Sequence, residues 1–449
     1  MTEESSINPH YIPVVYQFKD TKKDILSTNS NIITSQHVSY PKLYLGFQHY
    51  IHQSKLNMEI TKDFKGKKKV YYVMSKFERY IDDYDKDIDH LTVKYFELDG
   101  KNKQPKILSR AFYKLWELLF MFELIDHNAK NFVSAHLAEG PGSFIQATMF
   151  YRDKFAQRYS KNDKYYGVTL HAEDIKKYIP KIEEEFVKFY SKEKPVRFNL
   201  HKTYPIKESK GSKLKDNGDL TTKKTRDLFG GNFSQNKANF ITADGGFDWK
   251  DENLQEQEAY KLILSQIVTA LKIQAPKGNF VCKIYESFTE ITAKFILLLK
   301  SFYEQVFVCK PLMSRTSNSE KYIICLKFKD DKGTANKISA VEAILEKMTS
   351  SNNIQALDIF TDYQFEPEFH STLIGLNTKL SNRQFEEINN IISFVKKQNF
   401  RGEEYTQRRE EQIKATEYWS SLFLPSTSEF NKRKETIEKI TKSQIEQSK

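Results

Sequence analysis

The central part of the chain alternates between short apolar runs and longer stretches whose apolar residues recur at helical spacing. In residues 107–126, Phe112, Leu115 and Leu119 lie on one helical face, which predicts an amphipathic helix. Predicted strands follow at residues 132–138, 165–170, 239–243, 280–284, 306–309 and 322–328, and predicted helices at 144–159, 173–190, 255–274 and 289–305. Strands that alternate with helices favour an open, mostly parallel α/β sheet.

The last two predicted strands depart from that alternation. Only a loop separates residues 306–309 from residues 322–328. Because a crossover helix does not fit this gap, we expect the final strand to run antiparallel to its neighbours.

The two ends of the chain differ in composition from this central part. Residues 1–100 are polar and rich in tyrosine, with an extended pattern at 70–74, and a turn-like segment at 98–105 ends them. After residue 333 the pattern becomes helical and charged, and the polar tail after Pro425 is expected to fray. We therefore divide the chain into an N-terminal extension (1–100), an α/β domain (101–330) and a C-terminal helical region (331–449).

Composition narrows the class of protein. The chain has 449 residues, of which 39% are hydrophobic, so it is long enough for more than one packed unit and is not wholly disordered. The formal net charge is +11, which suggests a polyanionic partner. Two segments carry that excess: residues 61–79 have seven Lys and Arg against two acids, and residues 191–226 have eleven against four. Each segment could also be an ordinary solvated surface.

The cysteines and the N-terminus bear on the compartment. Cys282, Cys309 and Cys325 each lie in an apolar run, which predicts buried free thiols in a reducing compartment. The first residues have no apolar signal core, and the run at 295–299 is too short to cross a bilayer. We therefore expect an intracellular protein, and we expect no metal because the pair His49 and His52 has no matching ligand pair.

A glycine-rich turn follows the first predicted strand of the central part. Gly140 and Gly142 would let the backbone approach a ligand closely at the carboxyl end of that strand. The turn does not match a dinucleotide fingerprint, because Ile145 stands where the third glycine would be. Glu139 would repel phosphate but could bind a cationic amino-acid group. An ordinary strand-to-helix turn remains an alternative.

Charged residues also stand at the ends of other predicted elements. Asp244 ends a strand and precedes two glycines, and Glu320 begins the last strand. Lys283 lies within an apolar strand, where an ammonium group is costly unless it is paired or functional. Lys114 lies on the helix at 107–126, where a solvated position is the alternative.

These stretches together resemble the FtsJ-like (RrmJ-like) ribose 2′-O-methyltransferases, most closely the enzymes of eukaryotes and large DNA viruses that methylate mRNA caps. The matching stretches, in the family's order, are SRAFYKL, HLAEGPGSF, the GDL at 218–220, ITADGGFD, FVCKIYE and KPLMSRTSNSEKYIICL. They cover about half of the chain, from 105 to 329. The resemblance implies a Rossmann-like methyltransferase fold, with a mostly parallel seven-stranded sheet whose last strand is antiparallel.

The family resemblance also implies roles for individual residues. A Lys-Asp-Lys-Glu tetrad carries the reaction in this family, and its matches here are Lys114, Asp244, Lys283 and Glu320. The methyl donor S-adenosylmethionine would lie over the glycine-rich turn, in contact with Glu139, Gly140, Pro141, Gly142, Ser143, Phe144 and Asp244. Asp219 matches the acidic residue that contacts the adenine. Two departures are Ser143, where many relatives have glycine, and the long Lys-rich stretch before Asp219.

A ribose hydroxyl is a poor nucleophile at neutral pH, so the reaction needs a base beside it and an in-line methyl group. We assign Lys283 as that base. Burial and the neighbouring Lys114 should lower the pKa of Lys283 toward neutrality, while Asp244 and Glu320 oppose that shift.

The predicted function is therefore a cap-specific mRNA 2′-O-methyltransferase that binds the capped 5′ end of mRNA, with residues 61–79 and 191–226 as candidate RNA contacts. The N-terminal extension is a candidate RNA- or cap-binding region, and a capping or transcription complex is a candidate partner. Two alternatives remain: an rRNA or tRNA ribose methyltransferase, and a catalytically silent RNA-binding subunit. The Lys-, Asn-, Ile- and Tyr-rich composition and the resemblance favour a viral source, with the cytoplasm, virion or viral factory as location and the nucleus still open.

Overall fold

The structure is a computed structural model. It describes residues 11–36, 43–64, 75–77, 90–98, 106–156, 158–171, 182–201, 217–246, 251–350, 355–398 and 402–447. Within these ranges no helix is long and apolar enough to cross a bilayer.

The described residues form ten strands. They are β1 (Val14–Phe18), β2 (Ile32–Ser35), β3 (Val133–Leu137), β4 (Lys164–Val168), β5 (Phe198–Leu200), β6 (Ala238–Ala243), β7 (Gln274–Ile284), β8 (Tyr303–Lys310), β9 (Lys321–Phe328) and β10 (Gln355–Ile359). Eight of them form one sheet in the order β1-β8-β9-β7-β6-β3-β4-β5. Strands β5, β4, β3, β6 and β7 are parallel, whereas β9 runs antiparallel to both β7 and β8.

Helices cover both faces of this sheet. They are α1 (Leu45–Asn57), α2 (His90–Tyr95), α3 (Ala111–Met121), α4 (Ser143–Phe155), α5 (Glu184–Tyr190), α6 (Lys223–Gly230), α7 (Gln255–Glu258), α8 (Tyr260–Ile273), α9 (Glu290–Phe302), α10 (Thr334–Thr349), α11 (Pro367–Lys397), α12 (Glu403–Phe423) and α13 (Phe430–Gln447). One apolar core lies between the sheet and α8, α9 and α10, and the other between the sheet and α3, α4, α12 and α13.

The predicted α/β sheet and its antiparallel last strand are confirmed. The sheet contains two strands that were not predicted, β1 and β5. Strand β5 has only three residues, and β1 from the N-terminal segment pairs antiparallel with β8, so the sheet has eight strands rather than seven. The predicted helix at 173–190 is described only from residue 182 onward, where α5 lies, and the extended pattern at 70–74 is outside the described residues.

The terminal segments pack against the central α/β part of the chain. Strand β2 from the N-terminal segment pairs antiparallel with β10 from the C-terminal segment. Described residues of both segments contribute to the two apolar cores. The domain boundaries at 100 and 330 remain a prediction from composition.

The expectation that the tail frays after Pro425 is wrong. Residues 430–447 form α13, and its Phe430 stacks on Phe155 of α4 with ring centroids 4.2 Å apart. Ile437 and Ile440 are buried on the same helix. These apolar residues recur at helical spacing within a polar sequence, so one narrow face is enough to hold the helix against the core.

Candidate active site

The four tetrad residues come from four different elements but meet at one edge of the sheet. Asp244 directly follows β6, and Lys283 is the penultimate residue of β7. Glu320 directly precedes β9, which starts at this edge because it runs in the opposite direction. Lys114 lies on α3. The structure therefore places Lys114, Asp244, Lys283 and Glu320 together, as the sequence predicted.

Lys283 and Asp244 form one pair of the tetrad. The Lys283 Nζ lies 3.2 Å from Oδ1 of Asp244 and donates to the Asp244 carbonyl oxygen at 2.9 Å. The Tyr322 hydroxyl donates to the same Oδ1 at 3.4 Å. The side chains of Lys283 and Asp244 are 11% and 19% exposed, so the pair is mostly shielded from solvent.

Lys114 and Glu320 form the second pair. The Lys114 Nζ lies 2.7 Å from Oε1 of Glu320, and both side chains are largely buried. The Ser314 hydroxyl donates to the same oxygen at 3.0 Å. Each ammonium of the tetrad thus has a carboxylate partner.

The expected lowering of the Lys283 pKa is wrong. Burial lowers the pKa of Lys283, but Asp244, Tyr285 and Glu320 outweigh burial, and the pKa lies above its ordinary value. Glu320 is held as a carboxylate, because Lys114 and Lys283 overcome the effect of burial and lower its pKa. At neutral pH Lys283 is therefore an ammonium group.

Gly246 shows how tightly the backbone approaches the tetrad. A Cβ atom at Gly246 would lie 2.8 Å from the Tyr285 hydroxyl and 3.5 Å from the Lys283 Nζ. A side chain at this position would displace the tyrosine, so the second glycine of the Asp-Gly-Gly stretch keeps space beside Lys283.

The glycine-rich turn lies at the same edge, between β3 and α4. Gly142 has φ +111°, and a Cβ atom there would lie 3.1 Å from Leu108 and 3.3 Å from Ile182. Glycine is favoured at such a position for both reasons. The turn therefore packs closely against Leu108 and Ile182 where α4 begins.

Glu139 has an unusual environment in this turn. One carboxylate oxygen accepts from the backbone N–H groups of Phe144 and Ile145, both at 2.8 Å, while Oε2 has no hydrogen-bond partner in the described part of the chain. His136 lies 4.0 Å from Oε2, but burial lowers its pKa to about 3, so this imidazole is neutral. Burial, with a contribution from Asp244, raises the pKa of Glu139 well above its ordinary value.

These features fit the methyl donor expected from the resemblance. A buried carboxylate oxygen without a partner suits a cationic amino-acid group, because a buried polar atom is costly until it is hydrogen-bonded. Ser143 and Phe144, by contrast, use their side chains in packing: the Ser143 hydroxyl lies 2.7 Å from that of Ser109, and the Phe144 ring packs against Tyr322. Any contact of these two residues with a ligand would involve their backbone.

Asp219 lies beside the carboxyl end of β4, since the neighbouring Asn217 carbonyl accepts from the backbone N–H of His171 at 2.8 Å. Its Oδ1 accepts from the N–H and the hydroxyl of Thr221 at 2.9 and 2.7 Å. The carboxylate is half-buried. Its place one strand away from the glycine-rich turn agrees with the role that the resemblance implies.

The sequence reading missed the residues that hold the loop before β9. Lys310 donates to the Glu320 carbonyl at 2.7 Å and to the Asn318 carbonyl and side chain, each at 2.9 Å. Glu117 of α3 is fully buried and accepts from the backbone N–H groups of Leu312 and Met313. Lys310 could have been found from its place in the family-matching stretch KPLMSRTSNSEKYIICL. Glu117 is marked in the sequence only by its position three residues after Lys114 on the same predicted helix.

The three cysteines are buried free thiols, as predicted. Among the described residues, no cluster of three or more His, Cys, Asp or Glu side chains forms a candidate metal site.

Comparisons with known proteins identify related sequences. A sequence model of the FtsJ-like methyltransferase family matches residues 107–328. Cap-specific mRNA (nucleoside-2′-O-)-methyltransferase 1 of Drosophila melanogaster is 26% identical over 290 residues, which are 62% of this chain and 33% of that protein. Cap-specific mRNA (nucleoside-2′-O-)-methyltransferase 2 of Drosophila melanogaster is 26% identical over 272 residues, 59% of this chain and 36% of that protein.

A third relative carries a different name. Inactive cap-specific mRNA (nucleoside-2′-O-)-methyltransferase 1B of Caenorhabditis briggsae is 26% identical over 311 residues, 66% of this chain and 33% of that protein. The chain thus spans about a third of the length of these curated relatives. The match shows that residues 107–328 of this chain form an FtsJ-like methyltransferase domain.

Proposed function

We propose that this protein transfers a methyl group from S-adenosylmethionine to the ribose 2′-hydroxyl of a nucleotide next to an mRNA cap. The observation that carries the proposal is the tetrad, in which Lys283–Asp244 and Lys114–Glu320 lie at one edge of the sheet beside the glycine-rich turn. The names of the relatives add the cap specificity.

The reaction requires an activated methyl group, an aligned hydroxyl and an acceptor for the hydroxyl proton. S-adenosylmethionine supplies an activated sulfonium methyl group when bound, so the hydroxyl oxygen forms one bond to carbon while the carbon–sulfur bond breaks. The hydroxyl must also lose its proton. The protein therefore has to align the hydroxyl, exclude water and accept or direct that proton.

Lys283 is the group proposed to accept it. Because Asp244 and Glu320 raise its pKa, Lys283 begins as an ammonium that Asp244 holds in place. Only the fraction that has lost its proton can take the hydroxyl proton, and that fraction grows with pH. Lys114, paired with Glu320, is proposed to position the substrate through its positive charge.

Glu139 and Asp219 are proposed to hold the methyl donor at its two ends. Oε2 of Glu139, which has no partner among the described residues, would accept from the amino group, and the Asp219 carboxylate would contact the adenosine. The carboxyl ends of β3 and β4 place both residues at the edge where ligands of such sheets bind.

The basic segments are proposed to contact the RNA, but some of their cations serve the fold. Arg197 is buried and pairs with Asp153 at 2.6 Å and Glu193 at 2.7 Å, and Arg226 is buried and pairs with Glu346. The exposed cations of the described part of 191–226 are Lys192, Lys194, Lys223 and Lys224. Residues 202–216 and most of 61–79 lie outside the described residues.

Methylation of defined RNAs tests the proposal. We would incubate the protein with labelled S-adenosylmethionine and matched capped and uncapped RNAs, and then map the methylated nucleotide. The proposal predicts methylation of the ribose at the first or second transcribed nucleotide of the capped RNA only. Equal methylation of uncapped RNA would favour the rRNA or tRNA alternative, and RNA binding without methyl transfer would favour the silent subunit.

A further inference from the structure

The loop between β8 and β9 ends at Glu320 of the tetrad, and the residues just before Glu320 are held by side chains of other elements. The Ser319 hydroxyl donates to Oε1 of Glu286 at 2.6 Å. The side-chain amide of Gln384 donates to the same hydroxyl at 3.2 Å and to the Ser317 carbonyl at 3.0 Å. These hydrogen bonds fix the backbone that leads into Glu320.

Gln384 lies on α11, beyond the end of the FtsJ-like domain at residues 107–328. It is 5% exposed, so its hydrogen bonds are shielded from water. The same helix holds the loop that follows β7: the amide of Asn377 donates to the Ser287 carbonyl at 2.8 Å, and the Ser287 hydroxyl donates to Oδ1 of Asn377 at 2.6 Å. Helix α11 therefore contacts both the loop that leaves β7 and the loop that enters β9.

A second support for Ser319 comes from α1, which precedes the FtsJ-like domain. The Lys55 ammonium of α1 pairs with Oε1 of Glu286, the same oxygen that accepts from Ser319, and both partners of this pair are largely buried. Although burial opposes ionisation, Lys55 lowers the pKa of Glu286 to about 2, so Glu286 is a carboxylate at neutral pH. Lys55 thus keeps Glu286 charged, which strengthens the hydrogen bond from Ser319.

Helices α1 and α11 also pack against each other. The Tyr50 ring of α1 stacks on the Phe385 ring of α11 with centroids 4.0 Å apart. Phe385 directly follows Gln384, and Tyr50 precedes Lys55 by five residues. The two helices from the flanking segments therefore support one loop of the tetrad together.

We infer that Lys55 and Gln384 are positioning residues for the methyl transfer, since they set the place of Glu320 through Ser319. The inference rests on the proposed function. Glu320 pairs with Lys114 at 2.7 Å, and a misplacement of about 1 Å near reacting groups can lower a rate by about 100-fold. The segments on both sides of the FtsJ-like domain thus take part in ordering the tetrad.

The methylation rate of Gln384→Leu tests this inference. The substitution removes both hydrogen bonds at similar side-chain volume, so the single-turnover rate on capped RNA should fall about five- to tenfold. The affinity for S-adenosylmethionine should not change. Asn382→Leu, at an exposed amide of the same helix, is the matched control and should keep the wild-type rate.

Two further readouts separate positioning from a loss of stability. Burial lowers the pKa of Lys283, whereas Asp244, Tyr285 and Glu320 raise it. Gln384→Leu should therefore change the pH–rate profile in the same direction as Glu320→Gln does. Added to Glu320→Gln, Gln384→Leu should lower the rate by less than about twofold more, since residues that act through one contact are not additive.

The charge of Lys55 is tested separately. Lys55→Met leaves the buried carboxylate of Glu286 without its ammonium and should lower the rate at least as much as Gln384→Leu does. Lys55→Arg keeps the positive charge and should restore most of the rate. If Lys55→Met loses its folded far-UV spectrum, Gln384→Leu decides the result.

The outcomes separate this inference from the proposed function. A wild-type protein that methylates capped RNA, together with a Gln384→Leu variant that keeps the wild-type rate, overturns the inference and leaves the proposed function standing. A rate loss that adds in full to that of Glu320→Gln also overturns the inference, because Gln384 then acts on stability rather than on Glu320. No methyl transfer by the wild type to any RNA overturns the proposed function and the inference with it.

Discussion

The tetrad and the glycine-rich turn lie at the same edge of the sheet, but their carboxylates differ in whether they are paired with a cation. In the tetrad each carboxylate faces an ammonium, as Lys283–Asp244 and Lys114–Glu320 show. In the turn Glu139 is buried with one oxygen that has no hydrogen-bond partner among the described residues. The difference indicates that the charges of the tetrad compensate one another within the protein, whereas a cationic group beside Glu139 would gain an acceptor that no described residue uses.

Removing Lys283 should give the largest effect on activity. Lys283→Ala takes away the proposed proton acceptor, and general-base catalysis typically contributes about 10²- to 10⁴-fold. We expect methyl transfer to fall by at least that range, while calorimetry still detects S-adenosylmethionine binding. Lys277→Ala, at an exposed lysine of the same strand, should leave both measurements unchanged. Normal methyl transfer by Lys283→Ala would remove Lys283 from the mechanism.

Glu320→Gln should have the next largest effect, because it breaks the second pair. Lys114 loses its carboxylate partner, so the maximal rate should fall by roughly 10- to 100-fold. Loss of a carboxylate that raises the pKa of Lys283 should also move the plateau of the pH–rate profile to lower pH. A rate loss with an unchanged profile would mean that Glu320 acts on Lys114 alone. Glu304→Gln, far from the tetrad on β8, is the control.

Glu139→Gln should affect the methyl donor rather than the chemistry. Burial raises the pKa of Glu139, so a bound cation should lower that pKa and release a proton. Calorimetry in two buffers of different ionisation enthalpy should detect this proton for the wild type and not for the variant. The affinity of the variant for S-adenosylmethionine should fall about tenfold. Unchanged affinity would show that Oε2 of Glu139 does not contact the donor.

The smallest effect is expected at α12, the helix whose Trp419 contacts Glu117. The Trp419 indole of α12 donates to Glu117 at 3.2 Å, and Glu117 holds the loop that leads to Glu320. Trp419→Phe should lower the free energy of unfolding by about 1–3 kcal/mol, measured by urea denaturation. The methylation rate should fall only a few-fold, and binding of S-adenosylmethionine should not change. A larger change in donor affinity than in rate would contradict a support role at the tetrad.

The residue pattern predicted the sheet, whereas the tetrad was predicted from the resemblance to the FtsJ-like family. Short apolar runs between helical stretches predict strands such as β3 and β6. Charged residues at the ends of such strands lie close together where those ends share one edge of the sheet. The sequence did not predict the pairing of β2 with β10, whose residues lie more than 300 positions apart. It also missed β5, since three residues carry no readable alternation.

The pKa of Lys283 shows a second kind of limit. Its burial was clear from the apolar neighbours, but the direction of the shift depends on how near the carboxylates stand. Asp244 at 3.2 Å reverses the expected sign. Such distances come from packing between separate elements and cannot be taken from spacing along the chain.

The pH dependence of a single turnover tests the central claim most directly. If neutral Lys283 accepts the hydroxyl proton, its raised pKa means that the neutral fraction is small at pH 7 and grows about tenfold per pH unit. The rate on capped RNA, with enzyme in excess and donor saturating, should therefore rise about tenfold per unit between pH 7 and pH 9. A rate that stays constant over this range would contradict proton acceptance by Lys283 and assign it the role of a fixed cation.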